Sequence, residues 1–135
     1  MTLTGGCLCG AVTYRATGPF RPVIACHCSQ CRKTSGHFVS ATSVAREHIE
    51  ITGEPRWFQS SETARRGFCP GCGSNLFFDG AGANISIMAG TLDGPTGLET
   101  AGHIFCADKG DYYQIPNDAR AVPGADAELT TVVQT

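Results

Sequence analysis

Seven of the eight cysteines fall into three short clusters: Cys7-Leu8-Cys9, Cys26-His27-Cys28-Ser29-Gln30-Cys31 and Cys69-Pro70-Gly71-Cys72. Residues Met1 to Gly10 carry neither a positive n-region nor an apolar h-region, so the reading is a cytoplasmic chain with reduced thiols. Closely spaced thiols in that setting are metal ligands before they are disulfides. Two pairs complete one tetrahedral site, and three sulfurs are left over. Three protein ligands with a vacant fourth position is how zinc is held when it does chemistry.

Cys69-Pro70-Gly71-Cys72-Gly73 has the form of a zinc knuckle, two thiolates gripping one ion across a tight turn. Its glycines let backbone amides approach the sulfurs, and a strand is expected at Leu76. Cys7 and Cys9 are two apart, so on a strand both sulfurs leave one face. Together the pairs make a four-sulfur site worth on the order of 10 kcal/mol to folding. The competing reading is a redox dithiol at Cys69 and Cys72, but such a dithiol opens a helix, whereas Gly73 leads into a strand.

Cys26 and Cys28 close the apolar run Val23-Ile24-Ala25, and Cys31 follows one turn later, so the three sulfurs can converge. Arg32 and Lys33 come next and favour thiolates. Zinc on this triplet would keep one position for a thiol, a water or a carbonyl oxygen. Two other readings stand beside it. His27 could close the site, although adjacent strand residues point to opposite faces, or the thiols could be redox groups. Cys106 reads as a buried structural cysteine in the run His103 to Ala107. His103 could face a cavity, and Trp57 and Phe58 read as core. Arg65 and Arg66 are either an anion site or a solvated strand end; His37 and His48 read as surface residues.

The elements that must position these groups are short. Period-two alternation runs through Val12 and Tyr14, through Ile49 and Ile51, and through Asn84 to Gly90, where Ile85 and Ile87 share a face. Phe38 to Val44, Arg56 to Gln59 and Leu76 to Phe78 are aromatic or β-branched runs of the same kind. Turn signals at Gly53-Glu54-Pro55, Asp79-Gly80, Asp93-Gly94-Pro95 and Lys109-Gly110-Asp111 separate them. With 17 Gly and 7 Pro in 135 residues, helix is limited to a turn or two near Ser29 to Lys33 and Val44 to Glu47. The expectation is an all-β domain of small antiparallel sheets over 1–115, then a tail over 116–135 that ends in an edge strand or frayed segment at 129–135. Ten Lys+Arg stand against twelve Asp+Glu, which argues against a nucleic-acid face, and no apolar stretch approaches membrane-spanning length.

The clusters and their flanks resemble the glutathione-dependent formaldehyde-activating enzymes, a family that also includes centromere protein V. The matching stretches are Gly6-Cys7-Leu8-Cys9-Gly10-Ala11-Val12, Cys26 to Gly36, Phe58-Gln59-Ser60-Ser61, Arg66 to Leu76, His103-Ile104-Phe105, Asp108-Lys109 and Tyr112-Tyr113. The resemblance implies a β-tent of small antiparallel sheets. It implies a structural zinc on Cys7, Cys9, Cys69 and Cys72, and a second, labile zinc on Cys26, Cys28 and Cys31. The activity implied is that of a carbon–sulfur lyase, joining a small thiol such as glutathione to a small aldehyde, formaldehyde, as S-hydroxymethylglutathione. Arg32, Lys33 and His103 are the expected substrate-binding residues, and no general acid or base stands out. A zinc-folded protein-interaction module and a redox or metal-handling protein are the competing readings; a homodimer is the assembly carried forward.

Overall fold

Among the described residues the regular structure is ten strands and two short helices, besides three 3-10 turns: β1 Thr2–Gly6, β2 Thr13–Thr17, β3 Val23–Cys26, α1 Ser29–Ser35, β4 Val39–Ala45, β5 Ile49–Thr52, β6 Arg56–Gln59, β7 Arg65–Phe68, β8 Asn75–Asp79, β9 Asn84–Met88, β10 Thr100–Ile104 and α2 Ala127–Thr130. This computed structural model describes residues 1–130. The strands form a three-stranded sheet, β1-β2-β5, and a seven-stranded sheet, β10-β3-β4-β9-β8-β7-β6. The all-β expectation holds. The pairing is antiparallel throughout except for β3 with β10, which run parallel, a non-local pairing that alternation within one strand cannot reveal.

Period two assigns the large sheet's faces. Along β4, Val44 packs inward while Val39 and Ala41 turn the other way; along β9, Ile85 and Ile87 face the core while Met88 joins Val39 and Ala41. The main core lies between the sheets, where Leu3, Val12, Tyr14 and Ala16 meet Val44, Phe77, Ile85 and Ile87. Tyr14 sets its ring edge-on to Phe77, centroids 5.4 Å apart, and its hydroxyl pairs with Thr91 Oγ1 at 2.7 Å. The opposite face of the large sheet is left for α1 and the triplet cysteines.

Three expected elements differ. The strand through Cys106 stops at Ile104, because Phe105 takes a left-handed conformation, φ 55°, and Cys106 opens a 3-10 turn, half-buried. Phe58 is 60% exposed and only Trp57 of that pair packs on the core, since β6 is the sheet edge and carries a single covered face. Cys7 and Cys9 sit in a turn after β1 rather than on a strand. Past Ile115 the chain returns to the domain: Ala121 bridges His103 in parallel, and Leu129 packs with Ile24 and Ile104. Of the segment 129–135, Leu129 and Thr130 end α2 and 131–135 lie outside the described residues. Among the described residues no helix is long and apolar enough to cross a membrane.

Asp79 at the end of β8 anchors the far edge of the sheet. It is buried and accepts from Arg46 at 2.7 and 3.1 Å, from Arg65 Nε at 3.1 Å and from the Ala81 amide at 2.9 Å. The Arg46 hydrogen bonds chiefly hold its carboxyl well below the usual carboxylate range. A depressed pKa contributes stability above the unfolded value, near 3.9, and loses it as pH falls further. Asp79→Asn is therefore expected to cost about 1–3 kcal/mol at neutral pH, both arginines being partly solvated. Urea titrations should show that gap constant down to about pH 4 and narrowing below it.

Candidate metal centre and adjoining cavity

The first cysteine set is built by two loops of one design. Cys7 to Gly10 follows β1, and Cys69 to Gly73 joins β7 to β8. Each ends on a glycine with positive φ, Gly10 at 81° and Gly73 at 78°, a conformation that side chains resist. The reversal returns the chain on itself: Gly10 N donates to Cys7 O at 3.2 Å, and Gly73 N to Cys69 O at 2.8 Å. All four sulfurs lie within 4.8 Å of one another, with Cys7–Cys9 and Cys9–Cys69 at 3.7 Å. Sulfurs about 2.3 Å from a tetrahedral zinc stand about 3.8 Å apart, so the donor set and spacing fit that ion. Backbone amides serve the sulfurs as well, Val12 N at 3.2 Å from Cys7 Sγ and Gly71 N at 3.3 Å from Cys69 Sγ. The Val12 amide lowers the Cys7 pKa, and hydrogen bonds from Ser74 bring that of Cys72 down to about 5.

Cys26, Cys28 and Cys31 form the second set, also within 4.8 Å. Cys26 ends β3. Cys28 caps α1, its sulfur accepting from Cys31 N at 3.3 Å, and Cys31 lies in the first turn. His27 is not among the ligands. Its ring projects to the other side of β3, buried, paired with the Tyr113 hydroxyl and with His103 Nδ1 at 2.9 Å. Burial, with His103 next, pushes its pKa down to about 4. The strand alternation that disfavoured His27 is what carries it away.

Arg66, which the sequence left between anion site and strand end, is 5% exposed. Its guanidinium nitrogens lie 3.6 and 3.7 Å from Cys31 Sγ and 3.3 Å from Gln30 Oε1, and Nε has no partner among the described residues. Arg65 points away, stacking on Trp57 and pairing with Asp79. Cys31 is the thiol set to ionise: hydrogen bonds from Cys26 and Cys28, then the Arg66 charge, bring its pKa to about 6, while the same coupling drives Cys26 upward. The sequence offered Arg66 only as one of the pair Arg65-Arg66; the fold is what brings β7 beside α1.

The triplet opens on a cavity of about 400 Å³ between α1 and the large sheet. Val39, Ala41, Phe78, Met88 and Ile104 give it apolar walls, and Arg21 and Arg66 both reach it. Two outer clefts, about 460 and 240 Å³, share Arg66 as a wall; Phe58 lines both, and Lys33 the smaller. Arg32 lines none of the three spaces, and its buried Nε has no hydrogen-bond partner among the described residues. His103 also lies outside their walls, on the His27 side of the sheet.

A β fold with a four-sulfur and a three-sulfur set, each able to hold a metal ion, describes the class of protein. The chain belongs to the glutathione-dependent formaldehyde-activating enzyme family, whose sequence model matches residues 2–108. It is 31% identical over 75 residues to an uncharacterized lyase of Schizosaccharomyces pombe, covering 55% of each chain. It is 32% identical over 95 residues to a putative glutathione-dependent formaldehyde-activating enzyme of Halomonas elongata, covering 57% of this chain and 55% of that one. The chain thus spans about half the length of these curated relatives. A crystal structure of a Rhodobacter sphaeroides protein shares the fold, with TM-score 0.58 and 21% identity over 72% of this chain and 97% of that one.

Two measurements test the site. Cys72→Ser should lose tightly held metal and the folded state together, whereas Cys28→Ser should lose one easily chelated ion and keep near-native circular dichroism. In folded protein from which mild chelation has removed only the easily lost ion, Arg66→Met removes a cation from beside Cys31, so the pH midpoint for its alkylation by iodoacetamide should rise above about 6.

Proposed function

We propose that the chain is a carbon–sulfur lyase that adds a small thiol to a small aldehyde, with glutathione and formaldehyde as the reference pair. The observation that carries this reading is a three-sulfur set facing a mostly apolar cavity with Arg66 hydrogen-bonded to one sulfur. Cys7, Cys9, Cys69 and Cys72 would hold a structural zinc, and Cys26, Cys28 and Cys31 a second one. Zinc on three thiolates supplies a fourth position where a thiol is held as its thiolate.

The chain's own groups do the rest. Cys28 fixes α1 by its cap, which sets Cys31 against Cys26. Arg66 compensates negative charge at the sulfurs inside low-dielectric walls, where the interaction is stronger than in water. Val39, Phe78 and Met88 limit water around the reacting pair. In the addition, sulfur forms a bond to the aldehyde carbon, the carbonyl electron pair moves to oxygen, and the proton released by the thiol ends on that oxygen. Among the described residues the cavity wall carries neither carboxylate nor imidazole, in keeping with a mechanism of holding and polarisation. Lys33 in the outer cleft is a partner for a carboxylate of the tripeptide; Arg32 and His103 would act only from outside these walls.

Exchange NMR of glutathione with formaldehyde should show adduct formation faster than the spontaneous rate, with Cys28→Ser abolishing the excess and Arg66→Met reducing it about 10- to 100-fold. A full-length chain with two bound zincs and no acceleration for glutathione or other small thiols would remove the lyase reading.

A further inference from the structure

Arg21, just before β3, is 7% exposed and lines the cavity beside the triplet. Its Nε donates to Pro22 O at 3.3 Å and its Nη2 to Ala41 O at 2.7 Å. These carbonyls satisfy donors but do not balance a charge. Among the described residues the ion pairs use Arg46, Arg65 and Arg120, never Arg21. A guanidinium keeps its proton in proteins, and a buried charge without a counter-ion is costly. Burial lowers the Arg21 pKa to about 10, still ionised at neutral pH; the Cys26 sulfur opposes that shift, and no carboxylate does.

Arg66, the other guanidinium on this cavity, is committed to Cys31 and Gln30. The remaining wall is apolar apart from a few hydroxyls and the Gln30 amide, and holds no acidic side chain among the described residues. An apolar chamber of about 400 Å³ whose wall carries three sulfurs and a buried cation with no carboxylate partner calls for a ligand of matching composition. Neither the outer clefts nor Lys33 shares this combination.

We propose that the cavity receives a thiol with a compact apolar body and one carboxylate, and that Arg21 is the residue that pairs with the carboxylate. This rests on the thiol-binding reading of Cys26, Cys28 and Cys31 and deepens it by naming an apolar body and one carboxylate as what the chamber selects. Charge-assisted, bidentate pairing suits a guanidinium better than an ammonium here.

The test compares three probes on the full chain purified with its metal, by isothermal titration. They are para-mercaptobenzoate; para-mercaptobenzyl alcohol, with the same ring and thiol but no charge; and para-toluate, without the thiol. The acid should bind at least about tenfold tighter than the alcohol. Arg21→Gln, which keeps an amide donor for Ala41 O, should erase that difference and leave the alcohol within about twofold; Arg21→Lys should restore part of it. Ala41→Leu, which fills the chamber, should weaken both thiols. Equal affinities in the native chain, a preference that survives Arg21→Gln, or indifference to Ala41→Leu would each overturn the proposal and leave Arg21 a strut between β3 and β4. If para-toluate binds as tightly as para-mercaptobenzoate, the thiol reading fails while the Arg21 pairing stands.

Discussion

Four sulfurs at van der Waals spacing, two from the loop after β1 and two from the loop between β7 and β8, are the contact on which the two sheets depend. β1 belongs to the small sheet and β7 and β8 to the large one, so the cluster joins them at one end of the shared core. Cys7 and Cys69 are counted in that core. As thiolates such a set would repel itself, and as thiols it would forgo the amide hydrogen bonds aimed at the sulfurs; a bound cation resolves both. With that end fixed, Tyr14 reaches Phe77 and Thr91, and burial of the apolar faces follows.

The triplet obeys a different logic. Its sulfurs come from a strand end and the first turn of a seven-residue helix, and they sit on the face of the large sheet that the small sheet does not cover. That face keeps Val39, Ala41 and Met88 as the floor of a chamber instead of packing them against another layer. One sheet therefore serves two purposes, a sealed core on one side and an accessible apolar space on the other. The period-two alternation of β4 and β9 makes the division possible.

On the reverse of β3 and β10, buried His27 hydrogen-bonds half-buried His103 and Tyr113, with Phe38 against them. This cluster locks the parallel β3–β10 pair and, by fixing His27, holds the neighbouring Cys26 and Cys28 toward the cavity. His103, expected from the sequence at the substrate, lies on this side, paired with His27 and outside the walls of the cavity.

The cysteine spacings alone determined which thiols are grouped, because Cys-x-Cys and Cys-x-x-Cys are local geometries whose turns are written in Gly10 and Gly73. Alternation likewise marked most strands, and β6 falls where Arg56 to Gln59 predicted it. Arg66 was left open between an anion site and a solvated strand end, and Arg21 was not singled out. Arg21 lies 5 residues before Cys26 and Arg66 on a strand remote from α1, and neither neighbourhood carries a local signature. Their partners are fixed by the sheet order β10-β3-β4-β9-β8-β7, a non-local pairing chosen by burial of both sheet faces together. Short-range stereochemistry gave the three sulfur clusters; only long-range packing joined Cys7 and Cys9 to Cys69 and Cys72 and decided which charges would share the chamber with the triplet.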